Sequence, residues 1–202
     1  MGHNSDDPRV SRYLDSWTKR CFDLLVCLLL LTPAIAIMGC AALAILLREG
    51  RPVLFLQDRV GRHGRLFRMP KLRTLRVDSE PYRSKTEYDL RSYVTSTGRM
   101  LRRHKLDELP QLFTVLTGRM SLVGPRPELP GIVATYNAFH RKRLLMKPGA
   151  TGLWQVLANH TMPIHRNLKY DLYYLRHASL RLDIKLVFLT LGYVLKPPRG
   201  RP

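Results

Sequence analysis

Between Leu24 and Leu47 the chain runs for 24 residues without a charged side chain. As a helix this run would rise about 36 Å, more than the roughly 30 Å of a bilayer's hydrocarbon core. A secretory signal has a shorter apolar region and a small-residue cleavage site, and no clear site of that kind follows Leu47. The segment is therefore expected to enter a membrane and to stay there. Pro33 stands inside it, behind Thr32. Proline removes one helical hydrogen bond and clashes with the preceding turn, so a kink or break is expected at that point. Lys19 and Arg20 precede the run, and Arg48 and Arg51 follow it. A spanning helix usually carries more Lys and Arg on its cytoplasmic side; here the two flanks are equally basic. A hairpin that enters and leaves on one face fits this pattern, and so does an ordinary kinked spanning helix.

Charge narrows the class of partner. Lys and Arg number 34 against 15 Asp and Glu, a net charge of +19. Such an excess calls for a polyanion: nucleic acid, an anionic membrane surface or phosphorylated substrates. No recognised nucleic-acid module is visible. Cys21, Cys27 and Cys40 cluster at the apolar run and lack zinc-ligand spacing with a His. They read as buried small apolar residues in a reducing, cytoplasm-facing compartment.

The rest of the chain has room for one domain with a core of its own. Residues 1–16 are polar and aperiodic and read as a frayed tail. Val53–Gln57 has the pattern of a short strand, bounded by Gly50 and Pro52 before it and by Gly61 and Gly64 after it, with Leu66–Arg68 as its hairpin partner. Residues 76–95 read as a polar loop with some helix. Gly98–His104 reads as helical, and a helix is expected from Pro110 through Leu116 to a stop at Gly118. Residues 131–146 have the pattern of a basic amphipathic helix. Residues 166–195 read as largely helical up to Pro197 and Pro198. The last helix, Leu180–Leu195, either packs in the core or lies on a membrane with its apolar side down.

Three features could carry chemistry. Asp107 and Glu108 are adjacent carboxylates in a basic neighbourhood that includes Arg102, Arg103 and Lys105. At a helix start, the dipole and these cations would keep both ionised. An ionised Asp can accept a phosphoryl group, and a second carboxylate can hold Mg²⁺ against substrate phosphates. Taken alone, the commoner reading is two acids that stabilise a helix start. Gly124-Pro125-Arg126-Pro127 fixes the backbone on both sides of one guanidinium, a group that matches phosphate geometry; a tight turn with a solvated Arg is the plainer reading. Lys71 and Arg73 could contact phosphate or form a basic surface. Trp154 reads as a core residue.

Together these segments resemble the bacterial sugar transferase family, the small monotopic polyprenyl-phosphate phosphoglycosyl transferases. TKRCFD (18–23) is similar to the family's opening Lys-Arg-x-x-Asp, and RPVLFLQDRVGRHGRLFRMPKLRTL (51–75) to its strand-hairpin block. LDELPQLFTVLTGRMSLVGPRPE (106–128) resembles its catalytic segment nearly residue for residue. KPGATGLWQV (147–156) and YDLYYLRHASLRLDIKLVFLT (170–190) resemble later blocks. There are departures: the family's Ser-Pro break is Thr32-Pro33, about one helical turn early. Ala158, Asn159 and His160 stand where Gly-Arg-Asn is usual, and Leu72 and Leu75 where Phe and Met are usual.

The resemblance implies an α+β, mostly helical fold. A re-entrant helix-break-helix over 17–49, with its break near Pro33, would follow a flexible tail at 1–16. A small cytoplasmic catalytic domain at 50–196, with a short β-hairpin and surface amphipathic helices, would precede a tail at 197–202. It also implies a reaction. Asp107 attacks the β-phosphate of a UDP-sugar, UMP leaves, and a polyprenyl phosphate, usually undecaprenyl phosphate, takes the sugar-phosphate. Glu108 would help hold Mg²⁺, and Lys71, Arg102 and Arg126 would hold phosphates, with Arg73 a further candidate from its place beside Lys71. The place implied is the cytoplasmic face of the bacterial inner membrane, at the first membrane step of exopolysaccharide, capsule or other glycoconjugate synthesis, with no nucleic-acid partner. The rival is a membrane-tethered basic protein that binds nucleic acid or anionic lipid without catalysis.

Overall fold

A computed structural model describes residues 10–78, 92–157 and 168–195. Its longest element is α1, Trp17–Glu49. Ser16 Oγ starts it by accepting the N–H of Lys19 at 3.1 Å, which satisfies a first-turn donor that has no helical partner. It stops at Gly50, whose φ of 74° suits a residue without Cβ. The expected break near Pro33 is not an interruption: α1 continues through it as one helix. A proline costs its helix one hydrogen bond, which a helix held by packing on either side can absorb.

The buried residues of α1 are Lys19, Asp23, Cys27, Ala34, Ala41 and Ile45, spaced by four or seven, which puts them on one stripe. The stripe is docked along its whole length. Cys27 and Ala34 join the main core with Leu112, Val115, Met120 and Leu122, while Ala41 and Ile45 pack with Leu72 and Leu101. Leu25, Leu28, Leu29, Ile35, Leu43 and Leu47 are exposed. Of the three cysteines only Cys27 is buried; Cys21 and Cys40 lie off the stripe, so the expectation that all three are core residues is corrected.

The Lys-Arg-x-x-Asp segment is what fastens α1 to the domain. Lys19 Nζ donates to Asp23 Oδ1 at 3.0 Å and to Asp183 Oδ2 at 2.7 Å. Asp23 in turn accepts from Ser121 Oγ at 2.7 Å and from the Leu122 N–H at 3.2 Å. Arg20 donates to the carbonyls of Val115 and Leu116, both at 2.8 Å. The expected frayed tail is also revised where it can be seen. Residues 1–9 lie outside the described residues, but Arg12–Asp15 form a 3₁₀ turn. Ser11 donates to Leu175 O and Ala178 O at 2.9 and 2.7 Å, and Tyr13 Oη donates to Asp183.

β1 (Leu54–Val60) and β2 (Leu66–Leu72) form the expected antiparallel hairpin, longer than the pattern suggested, with Phe55 opposite Lys71. Pro70 is tolerated in β2 because both strands of a two-stranded sheet are edges. α2 is Ser96–Arg103 and α3 is Gln111–Leu116, followed by Gly118 at φ 76° as expected. A second, parallel pair was not anticipated: β3 (Ser121–Val123) beside β4 (Gly149–Thr151). The single helix expected over 131–146 is three short pieces: α4 (Pro130–Ala134), α5 (Ala138–Arg141) and a 3₁₀ turn at Lys142–Leu145. Asn137 Oδ1 accepts the His140 N–H at 2.9 Å and so starts a new helix where the old one would have run on.

α6 (Leu153–Leu157), α7 (Leu168–His177) and α8 (Leu180–Leu195) complete the described chain. Trp154 is buried, as expected. The last helix packs in the core by one face and leaves apolar side chains outside on the other. Asp183 and Leu186 of α8 are fully buried, while Ile184, Phe188 and Leu195 are exposed. Most of the loop at 76–95, together with Ala158–His160 and the two C-terminal prolines, lies outside the described residues.

Candidate active site

Four segments converge on one acidic pair. Asp107 and Glu108 close a 3₁₀ turn, Leu106–Glu108, just before α3. Lys105, at φ 55°, turns the chain into it. β2 ends beside this turn, and Lys71 Nζ meets Glu108 Oε1 at 2.9 Å. β3 runs into Gly124-Pro125-Arg126-Pro127, and Arg126 grips the same carboxylate: Nη2 to Oε1 at 2.7 Å, Nη1 to Oε2 at 3.3 Å. Arg102 reaches in from α2, held by its Nε donating to Thr74 Oγ1 at 2.8 Å.

The close approach of these segments depends on glycines. A Cβ at Gly98 would stand 2.3 Å from Thr74 O, so only glycine lets α2 lie against the strand exit. A Cβ at Gly149 would stand 2.1 Å from the Gly124 nitrogen. The Arg126 loop therefore seats directly on β4, with Gly124 N–H donating to Thr151 O and Gly149 N–H to Pro125 O, both at 2.9 Å.

The two acids have different environments. Burial works against a charge on Glu108, but Arg126 and Lys71 outweigh it and hold its carboxyl well below the usual carboxylate range. Asp107 goes the other way. Burial, and then the charge of Glu108, push its pKa up against the pull of Lys71, Arg102 and Arg126. The nearby cations thus outweigh burial at Glu108 but not at Asp107. Its side chain is 8% exposed, and among the described residues it has no hydrogen bond or ion pair. A carboxylate so placed keeps its lone pairs for an incoming group.

Of the expected phosphate ligands, Lys71, Arg102 and Arg126 come together at the pair; Arg73 does not. Its Nη2 donates to Glu49 O and Gly50 O at 2.9 and 2.8 Å, so Arg73 caps the C-terminus of α1 and is buried there. Residues that sequence reasoning missed hold the Arg126 loop. Arg143 donates to Arg126 O at 2.9 Å and to Tyr136 Oη at 2.7 Å, and pairs with Asp171 at 2.8 Å. Arg59 on β1 donates to Pro127 O at 3.0 Å. Arg143 is 2% exposed although it stands in a run of basic residues that reads as surface; the run carries no signal that could have singled it out.

A divalent cation fits this donor set within limits. Among the described residues no three His, Cys, Asp or Glu side chains cluster as a metal cage. Mg²⁺, however, is usually held by one or two carboxylates plus substrate phosphates. The loosely held Glu108 Oε2 has a lone pair to spare.

Residues 14–197 match the sequence model of the family described as bacterial sugar transferase. This chain belongs to the bacterial sugar transferase family. It is 39% identical over 180 residues to the galactosyl transferase CpsE of Streptococcus agalactiae, covering 80% of this chain and 40% of that protein. It is 34% identical over 186 residues to the UDP-N-acetylgalactosamine-undecaprenyl-phosphate N-acetylgalactosaminephosphotransferase of Aeromonas hydrophila, covering 89% and 44%. With the uncharacterized sugar transferase EpsL of Bacillus subtilis it shares 36% identity over 177 residues, covering 88% and 87%. The chain thus spans about two fifths of the length of the first two relatives and most of the third. The names of these relatives lend no support to a tethered nucleic-acid-binding protein.

Proposed function

We propose that this family member transfers a sugar-1-phosphate from a UDP-sugar to a polyprenyl phosphate such as undecaprenyl phosphate. The observation that carries this reading is Asp107: a buried carboxylate with no partner among the described residues, beside three cations. Oδ of Asp107 attacks the β-phosphorus, the bond from that phosphorus to the α-phosphate oxygen breaks, and UMP leaves with the electron pair. An oxygen of the lipid phosphate then attacks the same phosphorus and frees Asp107. Splitting the transfer gives each step a good leaving group. Arg126, Lys71 and Arg102 orient the diphosphate and offset the charge that gathers on it. Names of relatives that pair a UDP-sugar with undecaprenyl phosphate support the substrate classes.

Purified protein with Mg²⁺ is expected to release UMP from at least one of a panel of UDP-sugars. Release from none of them would end this reading. Glu108 Oε2, with Asp107 beside it, would hold Mg²⁺, which supplies charge neutralisation at the diphosphate. EDTA is expected to abolish turnover, and Glu108→Gln to lose most of it; full activity in EDTA would remove the metal from the mechanism.

The proposed place is the cytoplasmic face of the inner membrane, with both ends of α1 on that side. Support comes from the docking of α1. A helix of 33 residues is about 50 Å long, and both of its ends pack on the same folded unit. A helix that crossed a bilayer would carry one end away from it. Tags placed separately at the two termini should both resist protease in spheroplasts. External cleavage of the N-terminal tag alone would establish a spanning helix instead.

A further inference from the structure

Gln155 in α6 is 6% exposed, and neither Oε1 nor Nε2 has a hydrogen-bond partner among the described residues. A buried primary amide without partners is costly, and such groups mark places where a ligand or water completes the set. Its position is built, not incidental. A Cβ at Gly152 would stand 2.8 Å from Gln155 Oε1 and 2.1 Å from Gly124 O, so the amide is folded against the strand that leads to Arg126.

Gln155 lines a cavity of about 30 Å³ together with Glu108, Thr151, Thr190 and Tyr193. The two threonine hydroxyls there are already committed as donors. Thr190 Oγ1 donates to Leu186 O at 2.7 Å, so in the 2.6 Å contact between the two threonines the proton belongs to Thr151. Lys105 also lines the cavity, so what it offers is the two N–H donors of Gln155 beside an ammonium and several acceptors. That set suits a group that both donates and accepts, which is a hydroxyl. A cavity of this size corresponds to about one water molecule and is too small for a nucleobase.

We infer that Gln155, with Thr151 and Thr190, forms a subsite that reads a hydroxyl of the transferred sugar, making Gln155 a specificity-determining residue. The inference rests on the proposed reaction, in which the sugar hangs from the β-phosphate beside Glu108. Gln155 touches the sugar rather than the nucleotide, and this separates two binding constants that would otherwise move together.

The test compares the Asp107→Asn chain, which binds without reacting, with the same chain carrying Gln155→Leu or Gln155→Asn, as full chains in detergent, with calorimetric affinities for UMP, UDP-glucose, UDP-galactose and their N-acetyl counterparts. Gln155→Leu is expected to weaken the best UDP-sugar by about tenfold, the scale of one lost hydrogen bond. It should leave UMP affinity unchanged and narrow the preference among the sugars. Gln155→Asn keeps an amide but withdraws it by one methylene; it should fold as wild type, by its thermal midpoint, and lose the same discrimination. Equal weakening of UMP and UDP-sugars in both variants would show a structural or base-reading role and overturn the inference. No change in either would show that the cavity holds only a water. These affinities need no turnover, so an Asp107→Asn chain that discriminates among UDP-sugars, with a wild type that never releases UMP, would refute the proposed reaction and leave the subsite standing. Wild-type protein that binds no nucleotide sugar would refute both.

Discussion

Asp107→Asn is expected to abolish the first half of the reaction while leaving substrate binding intact. Wild-type enzyme mixed with its UDP-sugar, and no lipid, should release UMP in a burst of up to about one equivalent, because the acyl phosphate forms before the acceptor is needed. The phospho-sugar should remain on the protein and be lost to hydroxylamine, which cleaves acyl phosphates. Asparagine preserves the shape of the side chain but cannot attack phosphorus, so turnover should fall on the order of 10⁴-fold or more, as when other covalent nucleophiles are removed. Binding should move the other way. Asp107 is a negative group between Lys71, Arg102 and Arg126, and neutralising it leaves the site one charge more positive toward a diphosphate. The affinity of the variant for UDP-sugar should equal or exceed that of wild type. A variant that still takes up label, or wild-type enzyme that releases UMP only when polyprenyl phosphate is added, would point to direct transfer in a ternary complex.

Much of this site is legible along the chain because its parts are short and rigid. Pro110 and Gly118 bracket α3, and Gly124-Pro125-Arg126-Pro127 fixes one guanidinium; each is a local constraint that survives folding. The hairpin was visible for the same reason, with Gly61 and Gly64 at its turn. The second sheet was not, since three residues in each strand give no alternation to read. Arg73 and Arg143 mark a different limit. Both are basic residues beside plausible phosphate ligands, and what separates them from Lys71 and Arg126 is which carbonyl or carboxylate lies within reach. Those partners, Glu49 and Gly50 for Arg73 and Asp171 for Arg143, are far off in sequence. The same holds for Asp107. Local charge treats the two acids alike, but the contacts of Arg126 and Lys71 are tertiary, and by falling on Glu108 they set it apart from Asp107.

The anchor of α1 yields the largest expected effect on stability. Lys19, Asp23 and Asp183 are 5%, 3% and 0% exposed, one cation between two carboxylates. Tyr13 and Tyr174 donate to Asp183 at 3.0 and 2.6 Å, and burial still pushes the Asp183 pKa up despite Lys19. The cluster therefore carries an excess of buried negative charge that Lys19 only partly offsets. Lys19→Met removes the sole cation of this trio and leaves both acids facing each other in a dry environment. Breaking such a contact costs about 3–5 kcal/mol, which in a chain of this size lowers the thermal midpoint by roughly 6–20 °C. Asp183→Asn removes one of the two negative charges and keeps an acceptor for the tyrosines, so it should cost only about 1–2 kcal/mol, the scale of a weakened hydrogen bond. Combining the two should be milder than Lys19→Met alone, since a single acid, Asp23, is then left with Ser121 and the Leu122 N–H to satisfy it. Thermal or denaturant midpoints of the three variants in one detergent give the order directly. Were Asp183→Asn as damaging as Lys19→Met, or the double variant the least stable, the cluster would be held by its individual hydrogen bonds and not by the balance of charge around Lys19.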